Sequence, residues 1–184
     1  MNKSEAKKIA LAATTYYPKC YSGELRSIKH TDKIRGDLAI EFAKEASKRN
    51  LNVVIVDAKS TKTFRKEISK FPNVILSRRP HPKRSPGKRQ AFKIASKIPG
   101  VEVIVGTEPE KVSLVTDCLD QITKPILKGK ADLIVPHRKD KLFAQTYPNY
   151  MYESELEGNK LYNEFLKLYK LSSQSEYLLI LLKD

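Results

Sequence analysis

Two carboxylates one residue apart, Glu108-Pro109-Glu110, follow directly on the apolar run Val101–Val105. Carboxylate oxygens are the donors that hard cations prefer, and Mg²⁺ commonly takes one or two of them and completes its shell with substrate phosphates. A cation held this way neutralises a diphosphate leaving group. The same residues also read as a solvated acidic turn, with Glu110 capping a helix that starts near Val112.

Asp57 closes a second apolar run, Val53–Asp57, where it can accept from a base or a ribose hydroxyl, or cap the next turn. Neither a G-x-x-x-x-G-K-[ST] loop nor a G-x-G-x-x-G turn is present. Phosphates would therefore have to be met by cationic side chains, of which Arg78, Arg79, Lys83, Arg84, Lys88 and Arg89 lie close together. The guanidinium fork matches phosphate oxygens. Farther on, Glu153, Glu155 and Glu157 cluster at the start of a predicted helix, where the dipole favours acids. One of them, Glu155 or Glu153, can instead serve as general base toward a hydroxyl.

These residues need elements to hold them. Ile9–Ala13, Val53–Asp57, Val74–Leu76, Val101–Val105 and Ala131–Pro136 read as strands, nearly continuous in apolar character, as parallel strands covered on both faces are. Helical spacing fills the gaps. Residues 32–49 carry Ile34, Leu38, Phe42, Ala43 and Ala46 on one face, and residues 88–98 carry Ala91, Ile94, Ala95 and Ile98. Residues 112–124 carry Val112, Val115, Leu119 and Ile122, with Cys118 expected as a buried thiol on that face. Residues 155–171 carry Leu161, Phe165, Leu168 and Tyr169, and Arg78–Gly87 reads as a basic, proline-rich loop. The alternation predicts one α/β domain over residues 1–184, a doubly wound, mostly parallel sheet flanked by helices. In such sheets ligands sit beyond the carboxyl ends of the strands, where Thr14, Thr15, Tyr16, Asp57, Glu108 and Glu110 fall.

Charge narrows the partners. The chain has 35 Lys and Arg against 21 Asp and Glu, a net of +14. Lys59 to Lys97 holds 13 basic residues and one acid, Glu67. That region is built to meet an anion. With 40% apolar and 30% charged residues the composition is that of a globular protein. No apolar run approaches the roughly 20 residues of a membrane span, so a soluble, cytoplasmic chain is expected. Two cysteines and three scattered histidines make no zinc pattern.

Taken together, the positions resemble the GT-A-fold nucleotide-sugar glycosyltransferases related to family two, over roughly Ile9 to Leu166. The matching residues are the turn Ala13-Thr14-Thr15-Tyr16, the aspartate ending VVIVD, the segment Gly87-Lys88-Arg89-Gln90-Ala91 through Ala95, and ADLIVPHR with Arg138. The family's Asp-x-Asp is Glu108-Pro109-Glu110 here. The resemblance implies a nucleotide-binding part at about residues 8–111 and an acceptor part at about 112–184. Thr14, Thr15, Tyr16 and Asp57 would hold the nucleoside, and Lys88 and Arg89 would approach the donor phosphates. Glu108 would meet the ribose, and Glu108 with Glu110 would bind Mn²⁺ or Mg²⁺. Glu155 or Glu153 would deprotonate a carbohydrate or glycoprotein acceptor, giving inversion. The alternative is a protein that binds nucleic acid or an anionic surface, including a membrane, through residues 59–97. Against specific nucleic-acid binding, that region lacks the interleaved aromatics of a stacking platform.

Overall fold

A computed structural model of the protein describes residues 1–79, 84–134, 136, 140–146 and 148–168. The chain forms two compact units, residues 1–133 and a second that begins at Ile134.

The first unit is built on four strands: β1 (Ile9–Thr15), β2 (Asn52–Asp57), β3 (Val74–Arg78) and β4 (Val103–Gly106). All pairings are parallel, in the order β3-β2-β1-β4. Parallel neighbours need crossovers, supplied by α2 (Thr31–Lys48), α3 (Lys62–Ile68) and α4 (Arg84–Ala95), after a short α1 (Lys3–Lys7). Ala10, Ala12, Val54, Val56 and Ile104 meet Ala91 and Ala95 of α4 on one face. Side chains alternate along a strand, so Leu11, Val53 and Ile55 point to the other face, and they too are fully buried. Both faces are thus covered, which is why the strands read as continuous apolar runs.

Local signals set the ends. The α1 start is a capping box between Asn2 and Glu5, and Thr61 caps α3 through the Phe64 N–H. α2 closes in a Schellman turn: Asn50 has φ 58°, Leu51 N–H bonds Ala46 C=O, and Asn50 N–H bonds Ser47 C=O. Gly106 has its own reason. A Cβ there would lie 2.7 Å from Phe92 Cζ, so only glycine lets β4 and α4 approach this closely.

Several expectations need correction. Residues 131–134 and 136 form no strand; Ala131, Leu133 and Ile134 are only half-buried, and an apolar run of this length does not by periodicity alone declare a strand. Arg84–Gly87 is the first turn of α4, not loop. Cys118 is exposed. It ends a π-helical turn, Leu114–Cys118, that precedes α5 (Leu119–Leu127), and the wider turn rotates Cys118 off the face that buries Val115, Leu119, Ile122 and Ile126. Leu38 is 40% exposed, because small residues (Gly36, Ala39, Ala43, Ala46) and Phe42 bring α2 against its neighbours instead.

The second unit contains α6 (Asp140–Thr146) and α7 (Asn149–Leu168). Phe143 is buried and its ring meets that of Tyr152 edge-on at 5.0 Å. The stripe expected on residues 155–171 is not a buried face: Leu161 and Phe165 are more than half exposed. Tyr169 and Arg138 lie outside the described residues. Among the described residues, no helix is long and apolar enough to cross a membrane.

Candidate functional site

The strand order reverses at β1. From β1 the chain builds outward to β2 and β3, then returns to add β4 on β1's other side. In sheets of this kind the divergence of the connections opens a crevice at the carboxyl ends of the two strands flanking the reversal, here β1 and β4. The ends of β1, β2 and β3 stand level, since Thr15 pairs with Asp57 and Asp57 with Arg78, whereas β4 ends at Gly106 opposite Ala12.

Asp57 is 2% exposed, a cost that a buried carboxylate must recover through hydrogen bonds. It accepts from Thr15 Oγ1 at 2.8 Å and from the backbone N–H groups of Lys59 and Ser60. Of the two sequence readings, the turn-capping one describes these contacts. Lys59, in the same turn, has φ 111°, a conformation that favours glycine.

Tyr17, two residues beyond β1, is fully buried and anchored on every side. Its N–H donates to Ser60 Oγ at 2.9 Å, its carbonyl accepts from Thr61 and Cys20, and its ring packs edge-on against Phe64 at 5.0 Å. The hydroxyl donates to Glu110 Oε1 at 2.8 Å. Burial, then the Glu110 charge, push the phenol pKa far above its ordinary 10, so Tyr17 remains a donor. The same Oε1 accepts from Arg35 Nε at 2.6 Å, and the Arg35 guanidinium lies 5.2 Å from the Tyr17 ring centroid. Burial opposes the Arg35 charge, but the attraction and hydrogen bond of Glu110 outweigh it and hold its pKa above the ordinary value. Glu110 Oε2 is buried and has no hydrogen-bond partner among the described residues.

The other predicted residues take varied places. Glu108 is exposed and pairs loosely with Lys111 at 3.6 Å. Thr14 is half-buried, Thr15 buried and Tyr16 55% exposed. Lys88 and Arg89 are exposed on the first turns of α4. Gly87 lets that turn close on the strand ends, since a Cβ would lie 2.9 Å from Arg79 Cδ and 3.5 Å from Thr14 Cγ2. Gln90 fastens the helix to β3 through Ser77 Oγ and the Arg78 carbonyl. Glu153 and Glu155 lie on α7 in the second unit, Glu153 exposed and Glu155 half-buried.

The sequence gives Ser60 and Gln90 no role of their own and does not point to Arg35. Arg35 belongs to no motif. Its one signal is position: it follows within a turn of the start of the helix that leaves the carboxyl end of β1.

Among the described residues, no group of three or more His, Cys, Asp or Glu side chains converges as a metal cage. The cation reading draws on two carboxylates with different surroundings. Glu108 is exposed, and Glu110 holds a buried oxygen with no partner among the described residues, a group that normally finds one. Two carboxylates plus phosphate oxygens is the usual Mg²⁺ arrangement.

The fold and crevice define an α/β protein with a four-stranded, all-parallel sheet of Rossmann-like kind. Compared with family models, curated proteins and solved structures, the chain matches none.

Proposed function

We propose that this protein is a GT-A-type glycosyltransferase that moves a sugar from a nucleoside-diphosphate donor to an acceptor hydroxyl with divalent-cation assistance. The observation that carries the reading is Glu110 at the β1–β4 switch point, one oxygen held by Tyr17 and Arg35 and the other without a partner among the described residues. The strand ends and the start of α4 also carry cations: Arg78, Lys88 and Arg89 are exposed and have no acidic partner within ion-pair distance among the described residues. This suits a donor whose diphosphate is its most charged part.

In this reading Thr14, Thr15, Tyr16 and the Asp57 turn line the nucleoside pocket. Lys88 and Arg89 meet the phosphates, and Glu108 meets the ribose. Mn²⁺ or Mg²⁺, held by Glu108 and Glu110, would supply charge neutralisation to the departing diphosphate. The acceptor oxygen bonds to the anomeric carbon as the bond from that carbon to the phosphate oxygen breaks. The electron pair leaves with the nucleoside diphosphate, and the hydroxyl proton passes to a general base. Direct displacement of this kind inverts the anomeric centre. The acceptor would be a carbohydrate or glycoprotein.

A second reading is favoured by the basic helices. Lys62 and Lys66 on α3 and Lys93 on α4 are exposed without an acidic partner among the described residues, as a phosphate-backbone or anionic-surface binder requires. A thermal-shift panel of UDP-, GDP- and other nucleotide sugars, with and without Mn²⁺, separates the two. Metal-dependent stabilisation by one donor is the expected result. No stabilisation by any nucleotide, with salt-sensitive binding to DNA, RNA or anionic vesicles, would overturn the proposal.

A further inference from the structure

We infer that Arg35 is a diphosphate-binding residue, a fixed cation that the protein itself brings to the crevice beside the carboxylates. The inference rests on the donor reading above and deepens it. Three observations carry it. Arg35 Nε is committed to Glu110 at 2.6 Å, and its guanidinium stacks over Tyr17, so the side chain's position is set by a buried post. Nη1 and Nη2 make no hydrogen bond to any described residue, although the guanidinium carries five donors and Nε accounts for one. The side chain is 53% exposed while its anchor, Glu110, is 14% exposed, so the unused edge is the part that solvent reaches.

A guanidinium held through Nε presents its two Nη groups as a fork, the geometry that takes two oxygens of a phosphate at once. Pre-organisation makes this more than a surface charge, because the rotamer entropy of a long side chain is already spent when the anion arrives. Lysine could supply the charge but not the fork. Arg35 also offsets the charge of Glu110, so a doubly anionic group meets less repulsion from the nearby carboxylates.

The test is calorimetric titration with inorganic pyrophosphate in EDTA, which removes any contribution from metal, on the full chain. Arg35→Gln and Arg35→Lys should each weaken pyrophosphate binding at least 10-fold, with the Arg35→Gln loss the larger. The double variant Arg35→Gln/Glu110→Gln removes the bared carboxylate along with the cation, and its binding should remain weak. Recovery to the wild-type affinity in the double variant would mean that Glu110 repulsion, not a lost fork, caused the effect, and would overturn the inference. So would wild-type affinity in a folded Arg35→Gln, or no pyrophosphate binding by the wild type. The donor reading fails separately. If pyrophosphate binds through Arg35 but no nucleotide sugar stabilises the protein with Mn²⁺, Arg35 is an anion site and the donor assignment is wrong. If a nucleotide sugar binds with Mn²⁺ and Arg35→Gln binds pyrophosphate as tightly as wild type, only the Arg35 inference falls.

Discussion

The Tyr17 hydroxyl donates to Glu110 Oε1 across 2.8 Å, joining residues 93 apart in sequence and tying the turn after β1 to the turn after β4. A charge-assisted bond of this kind contributes about 1.5–3 kcal/mol. Tyr17→Phe keeps the ring packed on Phe64 and removes only the donor. It should lower unfolding stability by about 1–2 kcal/mol in urea titration and weaken metal-dependent donor binding, because Glu110 loses one of the two groups that orient it. Unchanged donor binding would show that Glu110 is oriented by Arg35 alone.

Gly106→Ala places a methyl 2.7 Å from Phe92 Cζ. Overpacking of this kind costs about 1–3 kcal/mol, read as a lower urea midpoint. Phe92→Leu in the same chain should recover part of the loss by making room. A neutral Gly106→Ala would mean that β4 and α4 pack less closely than described.

The two thiols should differ in reactivity. Cys118 is exposed, whereas burial pushes the Cys20 thiol pKa up. Brief alkylation of the folded protein should modify Cys118 and spare Cys20, as peptide mass spectrometry would report. The reverse order would contradict the π-helical turn that rotates Cys118 outward.

Asp120 provides the acid sensitivity. The terminal ammonium of Met1 donates to it at 2.7 Å, Arg49 and Lys124 add to the hold, and its pKa falls to about 2 from the ordinary 3.8. A depressed carboxyl pKa stabilises the fold above about pH 4, and that contribution disappears as pH falls through 2. Asp120→Asn should therefore destabilise the protein at pH 6 and differ little from wild type at pH 2. An equal difference at both pH values would contradict the assignment.

The sheet was legible in the sequence because burial on both faces writes itself as unbroken apolar runs, and four of the five expected strands are present. The fifth, Ala131–Pro136, was an equally apolar run without a strand partner, and composition carries no record of partners. Helix phase failed where the backbone departed from 3.6 residues per turn, at Cys118. Glu110 was legible as a carboxylate after a strand, and Asp57 as a strand-end acid with two open roles. What the sequence could not disclose is pairing. Tyr17, Arg35 and Glu110 come from three distant segments, and Arg35 stands in a polar helix start like many others. Only the fold makes it the neighbour of Glu110.

If the crevice around Glu110 is a nucleoside-diphosphate site, nucleotide binding must depend on that carboxylate. Calorimetric titration of UDP and GDP with Mn²⁺, on wild type and Glu110→Ala, tests it most directly. One nucleotide should bind in the micromolar range, about −8 kcal/mol, and at least 10-fold more weakly to a folded Glu110→Ala. Equal affinity in the two proteins, or no nucleotide binding at all, would contradict it.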